Sequence, residues 1–355
     1  MIWGIQMRVG ISGTGRIGRL CLRKALSEKQ SDFEVKVINS TSPIHVLAHL
    51  LKYDSVHGTW DANIEVLNDN LMIINGQRIS VISEREPDLL PWEDYGVELV
   101  VDATGKFNHR HGAERHLFAG AKRVLITAPG ANMDLTVVMG VNEAKYDHKL
   151  HRVLSVASCT TNCIAPVLQI LDRDFGVKQG WMTTVHAFTN DQNHMDNPHK
   201  DLRRARACTN SIIPTSTGVG KALIDVLPHL APHIQGVSIR VPTQDVSLLD
   251  LQVVVGRKVK VDEVKLAIKQ AIAGQLGTFV DYNELPLVSA DYIGNDKSAI
   301  IDGLSIMTQE DQIKLLAWYD NEWGYASRVI DFVAYVSRAE STQLKEEAKC
   351  LTQTI

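Results

Sequence analysis

The apolar positions in the first half of the chain fall into short runs that alternate with a helix-like stretch. Each run ends on small or polar residues, as buried parallel strands do where they face a ligand crevice. Arg19–Glu28, after the first run, carries Leu22 and Leu26 on one face of a predicted helix. The predicted strands are Arg8–Ser12, Phe33–Ile38, Val97–Val101, Arg123–Thr127 and Leu135–Val141. This pattern predicts an α/β domain.

The second half has a different pattern, in which strand-like segments follow one another with fewer helices between them. We predict strands at Trp181–Ala187, Ser247–Val261, Ser298–Met307 and Ile313–Tyr319, and helices at Ile164–Phe175, Val261–Ala273 and Ala326–Arg338. These elements fit an α+β domain with a mixed or antiparallel sheet. We therefore divide the chain into residues 1–158 and 159–325, and expect the final helix, within 326–355, to pack back on the first domain. Residues 1–6 read as an extension before the first strand.

A glycine fingerprint follows the first predicted strand directly. It reads Gly13-Thr14-Gly15-Arg16-Ile17-Gly18 and leads into the first predicted helix. In this strand-turn-helix context Gly13 allows the tight turn, Gly15 lets a pyrophosphate approach the backbone, and Gly18 lets helix and strand pack closely. The phosphates are then expected at the helix N-terminus. The first half is therefore predicted to be a Rossmann dinucleotide-binding domain.

Asn39 ends the second predicted strand, where an NAD-binding domain usually carries Asp or Glu to hold the ribose 2′-hydroxyl. Asn39 has no charge to repel a 2′-phosphate, and the hydroxyls of Ser40, Thr41 and Ser42 are possible donors to one. The alternative is that Asn39 bonds the ribose hydroxyls of NAD. The cofactor is therefore predicted to be NAD(P), with a modest lean to NADP.

Cys159 is the strongest candidate for catalysis. The apolar stretch Val153–Val156 runs into Ala157-Ser158-Cys159-Thr160-Thr161, and a predicted helix follows. A thiol at a helix N-terminus is favoured as the thiolate, because the unpaired N–H groups stabilise negative charge. His186, within an apolar strand, is the candidate base that such a thiol needs.

Composition narrows the possible classes. The chain has 355 residues, is 45% hydrophobic and carries a net charge of −4, so nucleic-acid and membrane-surface binding are not indicated. No segment is long and apolar enough for a membrane span, and no secretory signal is apparent. The five cysteines are scattered and predict neither a disulfide framework nor a metal site. A reducing cytoplasm is the compartment that fits a usable thiol.

Several cations suggest an anionic substrate. Arg240 lies in an apolar strand, where a buried guanidinium needs an anionic partner such as a phosphate. Pro214–Gly218 opens a helix and so forms a second possible anion site. The cationic run His199–Arg206 either pairs with acids at a subunit contact or supplies one cation to a substrate.

In seven stretches, this sequence resembles the phosphorylating glyceraldehyde-3-phosphate dehydrogenase family. The stretches are Arg8–Arg19, Ala157–Cys163, Thr184–Ala187, Asp201–Arg206, Ser211–Pro214, Arg240–Thr243 and Trp318–Tyr325, and the likeness extends to about Arg338. Asn39 in place of the ribose-binding Asp is similar to the bacterial type associated with NADP and with the gluconeogenic direction.

The resemblance implies a role for each matching residue. Cys159 is the nucleophile, His186 is its activator and an acid/base, and the Ser158–Thr160 segment holds the developing oxyanion. The substrate phosphate is expected at Thr189 and Arg240, and inorganic phosphate at Thr160, Arg204, Thr217 and Gly218. Asn321 orients the nicotinamide carboxamide, and the adenosine side uses Arg16, Ile17, Asn39, Arg85 and Thr127. A homotetramer is implied, with Ala187–Arg206 at an interface.

The sequence allows three other interpretations. Erythrose-4-phosphate dehydrogenase shares the Cys/His pair, but the retained Thr215-Ser216-Thr217-Gly218 favours the phosphorylating reaction. A hydrolase built on Cys159, His186 and Asn162 leaves the dinucleotide fingerprint unexplained. A regulatory dinucleotide-binding protein without catalysis leaves Cys159 and His186 unexplained.

Overall fold

The computed structural model describes residues 6–27 and 32–353 and divides into two compact units. The first unit comprises the described parts of 1–136, 143–156 and 326–355, and the second comprises 137–142 and 157–325. Of the expected N-terminal extension, only Gln6 lies within the described residues. Among these residues, no helix combines the length and the apolarity required to cross a bilayer.

The main helices are taken in chain order. They are α1 (Arg16–Ser27), α2 (Ile44–Lys52), α3 (Arg110–Phe118), α4 (Cys159–Phe175), α5 (Val219–Val226), α6 (Val261–Ile272) and α7 (Trp323–Gln353). The cationic run His199–Arg206 lies in turns and bends rather than in a helix.

A largely parallel sheet forms the centre of the first unit. The strands of the first unit are β1 (Met7–Ser12), β2 (Phe33–Asn39), β3 (Tyr53–Asp54), β4 (Gly58–Thr59), β5 (Ile64–Asn68), β6 (Leu71–Ile74), β7 (Gln77–Ile82), β8 (Leu99–Asp102), β9 (Arg123–Ile126), β10 (Leu135–Thr136) and β11 (Val153–Ser155). The strand order is β10-β11-β9-β8-β1-β2-β7-β6-β5, parallel from β10 to β7 and antiparallel beyond. The order reverses at β1, so a ligand crevice is expected beyond the carboxyl ends of β1 and β8.

The prediction of a strand over Leu135–Val141 was wrong beyond Thr136. The strand β10 ends there, and residues 137–142 group with the second unit. Val138 is fully buried in the core of that unit, beside α4 residues such as Ile164 and Leu168. The apolar run therefore reflects burial in a different core, not continuation of the strand.

A mixed sheet forms the second unit. Its strands are β12 (Val177–Ala187), β13 (Ile213–Thr215), β14 (Ile234–Val241), β15 (Ser247–Val255), β16 (Val280–Asn283), β17 (Ala299–Gln309) and β18 (Gln312–Tyr319). They lie in the order β13-β14-β12-β15-β18-β17-β16; β12 is parallel to β14, β16 is parallel to β17, and the other neighbours are antiparallel. The predicted class, a Rossmann domain with an α+β domain on a mixed sheet, is confirmed.

Candidate active site

Cys159 is the first residue of α4, which begins there and not at the predicted Ile164, and it therefore lies at the helix N-terminus that the sequence predicted beside it. Ala157, two residues before it, adopts a left-handed conformation (φ 53°), and its carbonyl accepts a hydrogen bond from the Tyr325 hydroxyl at 2.9 Å. Ser158 is the N-cap, and its Oγ accepts from the backbone N–H of Thr161 at 3.1 Å. This fixed turn places the half-buried Cys159 side chain at the N-terminus of a helix whose body is packed in the core.

The parallel pairing of β12 and β14 puts His186 directly beside Arg240. The Nε2 atom of His186 lies 3.5 Å from the Cys159 sulfur. On the other side of the ring, Nδ1 lies 2.9 Å from Nη1 of Arg240 and 2.7 Å from the carbonyl oxygen of Ala187. The structure thus brings together a thiol, an imidazole and a guanidinium from three separate stretches of sequence.

Burial governs the ionisation of this group. Desolvation is the largest influence on Cys159 and raises the pKa of its thiol, although the nearby Arg240 charge acts in the opposite direction. Desolvation, followed by the charge of Arg240, lowers the pKa of His186 to about 3. The expectation that the helix N-terminus favours a thiolate therefore does not hold for the protein alone, because burial outweighs it.

Tyr319 is a functional candidate that the sequence analysis did not identify. It is almost fully buried, and its hydroxyl lies 3.0 Å from Oγ1 of Thr160 and 2.7 Å from Oγ1 of Thr184. Its ring also meets His186 edge-on, with centroids 6.0 Å apart. Tyr319 therefore fixes the neighbours of the thiol, and the position of its hydroxyl depends on long-range pairing that no local signal reveals.

Arg204 forms a second cationic position in this unit. Its Nε donates to Oγ1 of Thr215 at 2.9 Å, and its Nη1 contacts Oδ2 of Asp191. The sequence grouped Arg204 with Thr217 and Gly218, but the hydroxyl that it contacts is that of Thr215. Gly218 is the N-cap of α5, and Oγ1 of Thr217 accepts from the Val219 N–H at 3.4 Å.

Thr189 follows β12 in a loop that is tied to the loop after β14. The backbone N–H of Phe188 donates to the carbonyl of Thr243 at 3.1 Å, three residues beyond Arg240. Asn321 is nearly buried, and its Oδ1 accepts from the Ser247 hydroxyl at 2.6 Å. That bond turns the NH₂ group of Asn321 away from Ser247.

The glycine fingerprint lies in a groove of the first unit, which has a volume of 310 Å³ and is lined by Gly13, Gly15 and Thr104, among others. Gly13 has φ +94°, and a Cβ there would lie 2.7 Å from the Thr104 nitrogen. A Cβ on Gly18 would collide with the carbonyl oxygen of Gly13. Both positions therefore require glycine, and the turn leaves a polar groove at the N-terminus of α1 that suits a pyrophosphate.

Asn39 lines this groove, but its amide already makes hydrogen bonds within the protein. Its Nδ2 donates to Ser12 Oγ at 3.1 Å and to the Glu84 carbonyl at 2.9 Å, while its Oδ1 accepts from the Glu84 N–H at 2.9 Å. Both amide protons are therefore in use, and the wall beside Asn39 presents Thr41, Ser42 and Arg85.

Of the other residues that were predicted to contact the adenosine, only some line the groove. Arg85 is exposed and lines the groove, whereas Arg16 forms an ion pair with Asp54. Ile17 is half-buried in α1. Thr127 follows β9, where its N–H donates to the Asp102 carbonyl at 3.0 Å.

Asp102 supports the groove in a way that the sequence did not reveal. Its Oδ1 accepts from both the N–H and the hydroxyl of Thr104, at 2.8 and 2.6 Å. Its other oxygen lies 3.4 Å from Nε2 of the fully buried His116, whose Nδ1 accepts from Trp92 Nε1 at 3.0 Å. This chain of contacts fixes Thr104, which lines the groove.

A dinucleotide-binding unit combined with a unit that pairs a thiol with an imidazole indicates a nicotinamide-dependent oxidoreductase. Residues 7–110 match the family model for the glyceraldehyde 3-phosphate dehydrogenase NAD binding domain, and residues 158–321 match the model for the C-terminal domain of the same family. The chain belongs to the glyceraldehyde-3-phosphate dehydrogenase family.

Curated relatives match almost the whole chain. Glyceraldehyde-3-phosphate dehydrogenase 2 of Bacillus subtilis is 50% identical over 94% of this chain and 97% of its own length. The Geobacillus stearothermophilus enzyme is 51% identical over 94% of this chain and 99% of its own length. Glyceraldehyde-3-phosphate dehydrogenase 2 of Nostoc is 47% identical with the same coverage. The erythrose-4-phosphate alternative gains no support from these names.

Proposed function

We propose that the protein catalyses the reversible oxidative phosphorylation of D-glyceraldehyde 3-phosphate to 1,3-bisphosphoglycerate with NAD(P). The observation that carries the proposal is the 3.5 Å approach of the Cys159 sulfur to His186 Nε2, with Arg240 on the far side of the ring. A thiol and a base at this distance suit covalent catalysis on an aldehyde. The identity of the substrate is inferred from the names of the relatives.

The chemistry rests on Cys159 and His186. The sulfur attacks the aldehyde carbon while His186 takes the thiol proton, which gives a thiohemiacetal. The oxygen of that adduct receives the proton back from His186, which can then remove it again as the adduct gives up a hydride to the acceptor that the cofactor would supply. A thioester remains on Cys159, and phosphate attacks it to release the acyl phosphate and free the sulfur. The backbone N–H groups of the Ser158–Thr160 segment face the developing oxyanion at the start of α4.

Two arginines are proposed to hold the two phosphates. Arg240, with Thr189, would bind the substrate phosphate: its Nε is buried and has no hydrogen-bond partner among the described residues, as expected of a donor that awaits an anion. Arg204 would bind inorganic phosphate, with Thr160, Thr217 and Gly218 contributing. The contact between Asp191 and Arg204 would then have to break when phosphate binds.

The groove of the first unit fits the cofactor. Gly13, Gly15 and Gly18 would accommodate the pyrophosphate at the start of α1, and Asn321 would orient the nicotinamide carboxamide. Bound there, the cofactor supplies a hydride acceptor. The lean to NADP is supported by the neutral Asn39 and by the hydroxyls of Thr41 and Ser42 and the guanidinium of Arg85 along the same wall.

The function is tested by assaying both aldehydes with and without inorganic phosphate. We expect glyceraldehyde 3-phosphate to give the higher kcat/KM and its turnover to depend on phosphate, because the thioester needs phosphate as its acceptor. Erythrose 4-phosphate as the better substrate, or a free acid as the main product without phosphate, would contradict the proposal.

The cofactor preference is tested by Asn39→Asp. The carboxylate cannot donate to the Glu84 carbonyl, and its charge would repel a 2′-phosphate, so the ratio of kcat/KM for NADP to that for NAD should fall by about tenfold or more. The exposed Asn68→Asp is the control, since Asn68 Oδ1 only accepts from the Asn70 N–H and a carboxylate keeps that bond. A strong preference for NAD in the unmodified protein would contradict the proposed preference for NADP.

Four further parts of the proposal concern the setting and the organisation of the enzyme. A homotetramer is supported by apolar side chains exposed around Ala187–Arg206, including Met195 and Leu202, which are 80% and 82% exposed. A cytoplasmic location fits a thiol that must stay reduced. The gluconeogenic direction would accompany NADP use. Residues 1–158 and 159–325 would act as the cofactor and catalytic domains.

A further inference from the structure

Arg204, the residue proposed to bind inorganic phosphate, is already in contact with two carboxylates of the protein. Its Nη1 contacts Oδ2 of Asp191, and its Nε lies 3.5 Å from Oδ2 of Asp201. The Arg204 side chain is only 17% exposed, and desolvation, followed by the charge of Arg240, lowers its pKa. A desolvated guanidinium needs an anion beside it, because an unpaired charge in such a place is costly. The two carboxylates meet that need within the protein itself.

The two carboxylates are held in different ways. Oδ1 of Asp201 accepts from the backbone N–H of Arg203 at 2.9 Å, and Oδ2 accepts from the hydroxyl of the buried Thr215 at 3.3 Å. Asp191 lies in the turn after β12, and its side chain is 51% exposed. Its other charged neighbour is His199, whose Nε2 lies 3.5 Å from Oδ1. Asp201 is therefore fixed by the backbone and by a buried hydroxyl, whereas Asp191 can turn into solvent by rotation of its side chain.

We propose that Asp191 competes with inorganic phosphate for Arg204, so that this carboxylate sets the affinity of the phosphate site. The inference rests on the proposed function, in which Arg204 binds inorganic phosphate. An oxygen of the phosphate takes the place of Asp191 Oδ2 at Nη1, while Nε keeps its hydrogen bond to Thr215 at 2.9 Å. The displaced carboxylate moves into solvent, and it returns to Arg204 when the acyl phosphate leaves.

Charge determines the sign of this effect. A carboxylate that stays beside Arg204 repels the phosphate anion, because like charges a few ångströms apart oppose each other. A carboxylate that leaves gives up its ion pair with Arg204, and that loss is subtracted from the binding of phosphate. In both cases Asp191 weakens phosphate binding. A carboxylate that only oriented the guanidinium would have the opposite effect, since its removal would leave Arg204 less well placed.

The test is the KM for inorganic phosphate in Asp191→Asn, measured at saturating glyceraldehyde 3-phosphate. Saturating aldehyde keeps the site proposed at Arg240 filled with substrate phosphate, so the KM reports the site at Arg204. Asparagine has nearly the same shape as aspartate but no charge, so we expect the KM for phosphate to fall by about fivefold, the effect of a partly exposed ion pair. The KM for the aldehyde should not change. A KM for phosphate that is unchanged or raised in D191N would overturn the competition.

Asp174→Asn is the matched control. Asp174 forms an ion pair with Arg173 at 2.7 Å, near the end of α4 opposite to Cys159. The variant therefore removes an aspartate from an arginine in the same unit without touching the proposed phosphate sites. D174N should keep both KM values, and a fall in its KM for phosphate equal to that of D191N would show a general effect of net charge and overturn the inference.

Arg204→Met separates this inference from the proposed function. We expect R204M to raise the KM for phosphate, and an unchanged KM would remove the phosphate role of Arg204 itself. In the double variant R204M/D191N the KM should equal that of R204M, because no guanidinium is left to compete for. If D191N lowered the KM as much in R204M as in the unmodified protein, Asp191 would act by repulsion at a distance and the competition would be wrong.

Discussion

Replacing Cys159 by serine is expected to abolish turnover of the aldehyde, lowering kcat by on the order of 10⁴-fold or more. A serine hydroxyl is far less acidic than a thiol, and burial already raises the pKa of this position in its cysteine form. His186, whose pKa is lowered, can accept a proton from a thiol far more readily than from an alcohol. An oxygen nucleophile would also form an ester, which transfers its acyl group to phosphate less readily than a thioester.

Because Cys159→Ser is a conservative substitution, it tests the chemical step separately from folding and from dinucleotide binding. Serine keeps the shape of the side chain at the first residue of α4, so the midpoint of thermal unfolding and the affinity for the dinucleotide should stay close to those of the unmodified protein. The control is Cys163→Ala, one helical turn along in the apolar core. That variant should lose some stability but keep its kcat. Turnover by C159S within tenfold of the unmodified protein would exclude Cys159 as the nucleophile.

The local parts of the fold were predictable from sequence. The turn from β1 into α1 depends on glycines whose positions are required by contacts within a few residues, such as Gly18 against the Gly13 carbonyl. The turn from an apolar strand into a helix around Cys159 was likewise predictable, although α4 begins at Cys159 and not at the predicted Ile164. Signals of this kind lie within one turn of the chain and need no tertiary information.

The features of the structure that the sequence did not predict depend on contacts between distant parts of the chain. Val137–Val141 is apolar in either unit, so its pattern shows that it is buried but not in which core. The register of β12 against β14 puts His186 beside Arg240, and no local pattern fixes that register. The contact between the hydroxyl of Tyr319, at the end of β18, and Thr160, at the start of α4, was not predictable for the same reason.

The electrostatics of the thiol also combine a local effect, which the sequence predicts, with an effect of the tertiary structure, which it does not. A helix N-terminus is a local feature, and it correctly predicted a stabilising environment for negative charge near Cys159. Desolvation depends on everything packed around the sulfur, and it reverses the net effect. Reactivity therefore cannot be assigned from the helix start alone; it requires the base and the cation that the tertiary structure brings to the thiol.

His186→Asn is expected to lower kcat by about 10²–10⁴-fold, the usual contribution of a positioned acid/base. Asparagine keeps a polar side chain near Arg240 and Ala187, but it cannot accept a proton at neutral pH. Because His186 acts while bonds are changing, the KM for the aldehyde should change much less than kcat. The exposed His45→Asn, on α2 of the first unit, is the control and should retain full activity.

The pH dependence gives an independent measure of the same role. With its pKa at about 3, His186 stays neutral in the free protein across the neutral range, so kcat/KM should show no acidic limb near the usual histidine pKa of about 6.5. The raised pKa of Cys159 instead makes kcat/KM rise with increasing pH as the thiol loses its proton. In H186N the thiol must lose that proton to solvent, so the rise should move to higher pH. A profile identical to that of the unmodified protein, or a kcat reduced only a few-fold, would show that another group removes the proton, and the 3.5 Å contact between Nε2 and the sulfur would then have only a structural role.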